Sequence, residues 1–178
     1  MDAERVQFPS NGKTTEAFLA LPENGSGPGI IVIQEWWGLV PHIEDVCRRF
    51  AKEGFVALAP DMYHGRTTRS PDDAGKLMMA LDIDRAEQDL RGAVTYLKSR
   101  PEVTSSGLGV VGFCMGGQLA LYAASKNPEI LACVDYYGIH PHVKPDFAAM
   151  RAAALCFFGE KDGSIPAAKV RELETRIR

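Results

Sequence analysis

The segment Leu108-Gly109-Val110-Val111-Gly112-Phe113-Cys114-Met115-Gly116-Gly117, continuing into Gln118-Leu119-Ala120-Leu121, decides the fold. Leu108–Val111 is a short β-branched run that reads as a strand, and Gly117–Ser125 reads as a helix. Between them lies Gly-x-Cys-x-Gly. A nucleophile on so sharp a strand-to-helix turn needs small neighbours, because its backbone is strained and flanking side chains would clash. The helix that follows points its N-terminus at the turn, which is expected to lower the cysteine pKa and favour thiolate. The Met115 N–H then stands where an oxyanion donor belongs. Cysteines elsewhere are usually small buried hydrophobes. Cys47, Cys133 and Cys156 fit that description, the first on the inward face of a helix and the others within apolar strands.

Working outward, Gly29–Gln34 and Phe55–Ala59 are apolar runs suited to strands buried on both faces. Pro41–Glu53 between them is a helix opened by proline and closed before Gly54. Val6–Pro9 and Thr14–Leu21 flank Asn11-Gly12, a tight hairpin turn. Ser70-Pro71-Asp72-Asp73 starts a helix, and Ile83, Ala86, Leu90, Val94 and Leu97 continue at helical spacing up to Pro101. Leu131–Tyr136 and Ala154–Phe158 are further strands, and Pro166 opens a last helix with Val170, Leu173 and Ile177 inward. Strands alternating with helices predict an α/β fold with a mainly parallel sheet and helices on both faces. The 178 residues form one domain, 1–178, with no linker or repeat.

Composition narrows the function. Hydrophobic residues make up 46% and charged residues 24%, with a net charge of −3 and no Lys/Arg-rich block, which argues against a nucleic-acid partner. The apolar runs are far shorter than the ~20 residues of a membrane span. The N-terminus lacks signal-peptide character, and four cysteines without a C-x-x-C pair read as reduced thiols of a cytoplasmic protein. No zinc-like spacing and no phosphate-binding loop appears, so neither metal nor cofactor is expected. Gly25-x-Gly27-x-Gly29 precedes a strand, the wrong context for a nucleotide.

A catalytic cysteine needs a base and an orienting carboxylate. In open parallel sheets such groups gather at the carboxyl ends of strands, where Glu35, Asp61 and Asp162 fall. Asp61 is read as a turn-capping side chain, while Arg66 and Arg69 are read as solvated charge.

Taken together, Gln34-Glu35-Trp36-Trp37-Gly38, Ala59-Pro60-Asp61-Met62-Tyr63, the Cys114 elbow, Tyr136-Tyr137-Gly138, and Gly159-Glu160-Lys161-Asp162 with Ile165-Pro166 resemble the dienelactone hydrolase family in order and spacing. The resemblance implies an α/β-hydrolase fold with Cys114 as nucleophile and Asp162 as the acid of a Cys-His-Asp triad. It also implies that Glu35 contacts the resting thiol and helps to deprotonate it, with Trp36 and Met115 supplying the two oxyanion N–H groups. The implied reaction is hydrolysis of a small unsaturated lactone or related ester through a thioacyl-enzyme, by a monomer when the chain is complete. In that order of residues the histidine follows the acid. His42, His64, His140 and His142 all precede Asp162, so the chain is expected to stop mid-fold, without the last strand, helix and triad histidine. Two alternatives stand beside this reading: a non-catalytic or single-turnover fragment, and a glutamine amidotransferase, whose cysteine elbow Gly112 through Gln118 also resembles.

Overall fold

Asn11 and Gly12 both take left-handed backbone angles, with φ of 49° and 68°. That turn closes an antiparallel hairpin of β1 (Ala3–Ser10) and β2 (Lys13–Ala20) in the register Ser10↔Lys13. The computed structural model describes residues 2–178. Among these, seven strands form one sheet, completed by β3 (Gly29–Ile33), β4 (Val56–Pro60), β5 (Leu108–Phe113), β6 (Ile130–Tyr136) and β7 (Ala153–Phe157). The order is β1-β2-β4-β3-β5-β6-β7. The hairpin joins β4 antiparallel, and every pairing from β4 to β7 is parallel.

The helices cover the sheet because its central strands are apolar on both faces; every residue of β3 and β4 is buried. On one face, α1 (Pro41–Lys52) buries Ile43, Val46, Cys47 and Ala51 against Val32, Ala57 and Val111. The other face carries the larger core, with Leu90, Ala93 and Leu97 of α3 (Ile83–Ser99) and Leu119, Ala120 and Ala123 of α4 (Met115–Lys126). Also on this face lies α2 (Pro71–Met79), while α5 (Ala167–Ile177) leans Leu173 and Ile177 on it.

The helical pattern from Ser70 to Pro101 resolves into two helices. Ser70 Oγ caps the first by accepting from the Asp73 N–H, and Asp82 Oδ1 caps the second by accepting from the Arg85 N–H. The chain therefore restarts at Asp82, because a side-chain cap satisfies the open donors of a new helix.

The chain runs from β3 to β4 on one side of β3, then crosses to β5 on the other. This reversal opens a crevice beyond the carboxyl ends of β3 and β5, where open α/β sheets place ligands. Glu35 follows one of these strands and Cys114 the other.

Candidate active site

Cys114 sits between β5 and α4 at φ 55° and ψ −123°, a conformation that costs about 1–3 kcal/mol and persists only where neighbours enforce it. Here four hydrogen bonds do so. The Cys114 N–H donates to the Tyr136 carbonyl at 3.0 Å. Its own carbonyl accepts from the N–H groups of Gly117, Ile139 and Gln118 at 2.9, 3.3 and 3.4 Å. The flanking glycines are a packing requirement. A Cβ at Gly112 would overlap the Gly116 carbonyl, and one at Gly116 would strike the backbone of Ile33 and Gln34.

The half-buried thiol is under four local influences besides its burial. The N–H groups of Met115 and Trp36 favour its charged form, whereas the Glu35 and Asp162 carboxylates oppose it. Burial is the largest effect, and the net result is a thiol pushed above its ordinary value of 9.0. The depressed pKa expected from the helix N-terminus is thus overturned, since desolvation and two carboxylates outweigh two N–H groups. The surroundings of Cys114 favour the thiol over the thiolate.

Glu35 is held at the end of β3 by what precedes it. Gln34 is fully buried, and its Oε1 accepts the Met62 N–H at 3.2 Å, locking the loop after β3 to the loop after β4. Beyond Glu35, the Trp36 and Trp37 rings meet edge to face at 5.1 Å. Tyr137, left-handed at φ 44°, donates its hydroxyl toward Glu35 Oε1 at 3.5 Å. Burial, with Glu35 and Cys114 adding to it, pushes the Tyr137 phenol up to about 12. No role for Tyr137 is readable from sequence; its signal is a tyrosine at the carboxyl end of a parallel strand, directly before glycine. Tyr63 is likewise silent in sequence, yet its buried hydroxyl donates to Met115 Sδ at 3.1 Å.

Asp162 does not follow a strand adjacent to the elbow strand. Its strand is β7, and β6 separates β7 from β5. It stands five positions past the strand end, Phe157, in a turn where its Oδ1 accepts the N–H groups of Ser164 and Ile165 at 2.7 and 3.3 Å. It reaches Cys114 as charge. Asp61 is the turn-capping residue expected: its oxygens accept the N–H groups of Tyr63 and Gly65 at 3.0 and 2.6 Å.

The histidines are engaged elsewhere or lie apart. His64 Nε2 meets Asp89 Oδ2 at 2.8 Å, and His140 bonds the Met78 carbonyl through Nε2 and the His142 N–H through Nδ1. His42 is exposed on the first turn of α1. None of them is among the groups that set the Cys114 pKa. Among the described residues, no three His, Cys, Asp or Glu side chains are grouped to hold a metal ion, and no helix is long and apolar enough to cross a membrane.

The sheet order, the crevice at the ends of β3 and β5 and the strained strand–turn–helix elbow define an α/β-hydrolase. The chain belongs to the dienelactone hydrolase family, whose sequence pattern matches residues 15–178, and it is a hydrolase. It is 37% identical over 181 residues to Protein usf of Aquifex pyrophilus, an alignment covering 98% of this chain and 78% of that one. It is 34% identical over 166 residues to a provisionally named carboxymethylenebutenolidase of Aquifex aeolicus (strain VF5), covering 89% and 71%. A provisionally named dienelactone hydrolase from Klebsiella pneumoniae subsp. pneumoniae MGH 78578, solved by crystallography, superimposes with a TM-score of 0.88 at 30% identity, covering 99% and 80%. The matched span takes in the Glu35 loop as well as the elbow, which an amidotransferase reading leaves unexplained.

Proposed function

We propose that this protein hydrolyses a small carboxylic ester or unsaturated lactone through a thioacyl-enzyme on Cys114. The observation that carries this reading is the thiol itself: it lies on a strained elbow, under the N–H groups of Met115 and Trp36, with the Glu35 carboxylate acting on it. A thiol disfavoured from ionising calls for a base, and Glu35, the stronger-acting of the two carboxylates that influence it, is the proposed base. As Sγ attacks the substrate carbonyl carbon, Glu35 takes the thiol proton, and the carbonyl oxygen becomes an oxyanion between the two N–H groups. Collapse breaks the bond to the alkoxy oxygen, which leaves with a proton, and the acyl group remains on sulfur. Water then adds to the thioester, releasing a carboxylic acid and the free thiol. The name of the Aquifex aeolicus relative is that of an enzyme opening a butenolide, an unsaturated lactone, which supports the substrate class.

The two halves of this cycle differ in what they need. Attack uses groups present at the elbow, whereas deacylation needs an activated water, and general-base help is worth about 10²–10⁴-fold. Among the described residues no histidine acts on the thiol, so residues 2–178 by themselves are proposed to acylate faster than they deacylate. With a chromogenic ester, the expected result is a burst close to one equivalent followed by slow release, absent in Cys114→Ala. Linear turnover without a burst, equal in Cys114→Ala, would sink the reading, and release no faster than in buffer alone would favour the non-catalytic alternative.

A further inference from the structure

Beneath the elbow lies a buried acid that the proposed mechanism does not use. Asp135 of β6 pairs with Gly112 of β5 and is wholly enclosed, and neither carboxyl oxygen has a hydrogen-bond partner. Its oxygens crowd two glycines of the elbow support. A Cβ on Gly117 would lie 2.1 Å from Oδ1, and one on Gly138 would lie 2.4 Å from Oδ1 and 2.7 Å from Oδ2. That same point beside Gly138 is 2.6 Å from the Gln118 nitrogen. The Gln118 N–H therefore stands between two acceptors, the Cys114 carbonyl at 3.4 Å and the Asp135 carboxyl. Of the three N–H groups on that carbonyl it is the furthest, those of Gly117 and Ile139 being at 2.9 and 3.3 Å. No charged side chain is among the influences on Asp135. The titratable groups that face it are the thiols of Cys133, on its own strand, and Cys156, its partner on β7. Burial pushes both thiols up, so neither carries charge at neutral pH. From α4 and β5 it meets glycine, and His140 of the following loop bonds away to the Met78 carbonyl.

We propose that Asp135 is a positioning residue for the Cys114 nucleophile, operated by its own proton: the neutral acid leaves the Gln118 N–H on the Cys114 carbonyl, and the carboxylate draws it away together with the Gly138 N–H. On ionisation the proton passes to solvent, and no bond other than hydrogen bonds is exchanged. A charged acceptor binds an N–H roughly twice as strongly as a neutral carbonyl does, and a buried carboxylate without donors is costly. The longest bond of the elbow is the one that yields. Burial pushes the acid from 3.8 up to about 7, with the Gly138 N–H opposing it in part, so the exchange falls near neutral pH. Asp135 is not among the groups acting on the Cys114 thiol, so its effect reaches sulfur through the backbone that aims it. The left-handed Cys114 conformation persists only while its neighbours enforce it, and losing one of its hydrogen bonds lowers the share of chains in attacking geometry. The catalytic consequence rests on the proposed role of Cys114 as nucleophile; the backbone exchange does not.

The test pairs a spectroscopic titration with a kinetic one, both on the full chain. In ¹H–¹⁵N NMR between pH 5 and pH 9, the amides of Gln118, Gly138 and Ile139 are expected to move together with one midpoint near pH 7. That shared titration is expected to vanish in Asp135→Asn and in Asp135→Ala, one of which keeps the side chain's shape while the other empties its place. The burst rate with p-nitrophenyl acetate is read as the ratio of wild type to Asp135→Asn, so that the titrations of Cys114, Glu35 and the histidines cancel. This ratio is expected to fall about fivefold from pH 5.5 to pH 8.5, the worth of one hydrogen bond. Amides that do not titrate near pH 7, or that titrate equally in both variants, would overturn the hold of Asp135 on the elbow. A ratio independent of pH would overturn its positioning role. Ester cleavage at the wild-type rate in Cys114→Ala would instead retire Cys114 as nucleophile, and the amide titration would then decide the backbone exchange by itself.

Discussion

Asp135 offers the sharpest thermodynamic consequence of the fold. It lies on β6 opposite Gly112 of β5 and Cys156 of β7, wholly buried. Its oxygens are pressed against Gly117 and Gly138, and neither meets a hydrogen-bond partner of acceptable geometry. The Gly138 N–H favours the carboxylate but offsets burial only in part, and the acid is pushed from 3.8 up to about 7. A folded-state pKa above the unfolded value means the native state binds the proton more tightly. This contribution to stability is intact below pH 4 and shrinks as pH rises to about 7, beyond which the loss levels off. Roughly three pKa units correspond to ~4 kcal/mol at the alkaline end. Asp135→Asn keeps the shape and removes the titration, so the variant should gain on the wild type by a few kcal/mol between pH 4 and pH 8. The assay is urea unfolding of both proteins across that range, scored as the difference between them so that other carboxylates cancel. A difference that stays constant with pH would show that Asp135 finds a charge-stabilising partner, and the reasoning would fail.

Alkylation by iodoacetamide, which needs only thiolate, should follow a Cys114 midpoint above pH 9. Glu35→Gln removes an opposing charge, so the midpoint should fall while ester acylation at neutral pH drops by ~10²-fold or more for want of the base. Both rates moving together would contradict the role given to Glu35. Gly112→Ala should destabilise the fold by ~2–3 kcal/mol or more in denaturant melts, because its Cβ meets a carbonyl that cannot retreat without breaking the elbow; an unchanged midpoint would refute that packing. Asp89→Asn should cost ~3 kcal/mol or more by the same assay, since it weakens a bond to each of His64, Ser10 and Thr15 at once, and a loss under ~1 kcal/mol would show the cluster to be dispensable.

The elements were legible where local chemistry is strong. Asn11-Gly12 specifies its hairpin, Pro41 and Pro71 open helices, and the apolar runs Gly29–Gln34 and Phe55–Ala59 contain the fully buried strands Gly29–Ile33 and Val56–Pro60. Cys114 was legible because glycine on both sides of one residue between strand and helix has few other uses. What sequence did not reveal depends on neighbours distant along the chain. The thiol pKa rose because burial and two carboxylates, from the loops after β3 and β7, outweigh the helix end that sequence brings beside it. Asp162 lies two strands from the elbow because β6 intervenes, and strand order is a property of the sheet as a whole. Asp135 reads as one polar residue in a strand; only the closeness of Gly117 and Gly138 makes it a buried acid. His64 and Asp89 are 25 positions apart, and no local pattern announces their pairing.

Whether Cys114 forms the proposed covalent intermediate is read directly by intact-mass and peptide-mapping spectrometry of the protein quenched in acid seconds after mixing with p-nitrophenyl acetate. The expected result is one acetyl group per chain, located on Cys114, absent in Cys114→Ala and lost only slowly on standing. Acetyl groups on Cys156 or on lysines with Cys114 unmodified, or ester cleavage continuing at the wild-type rate in Cys114→Ala, would contradict it.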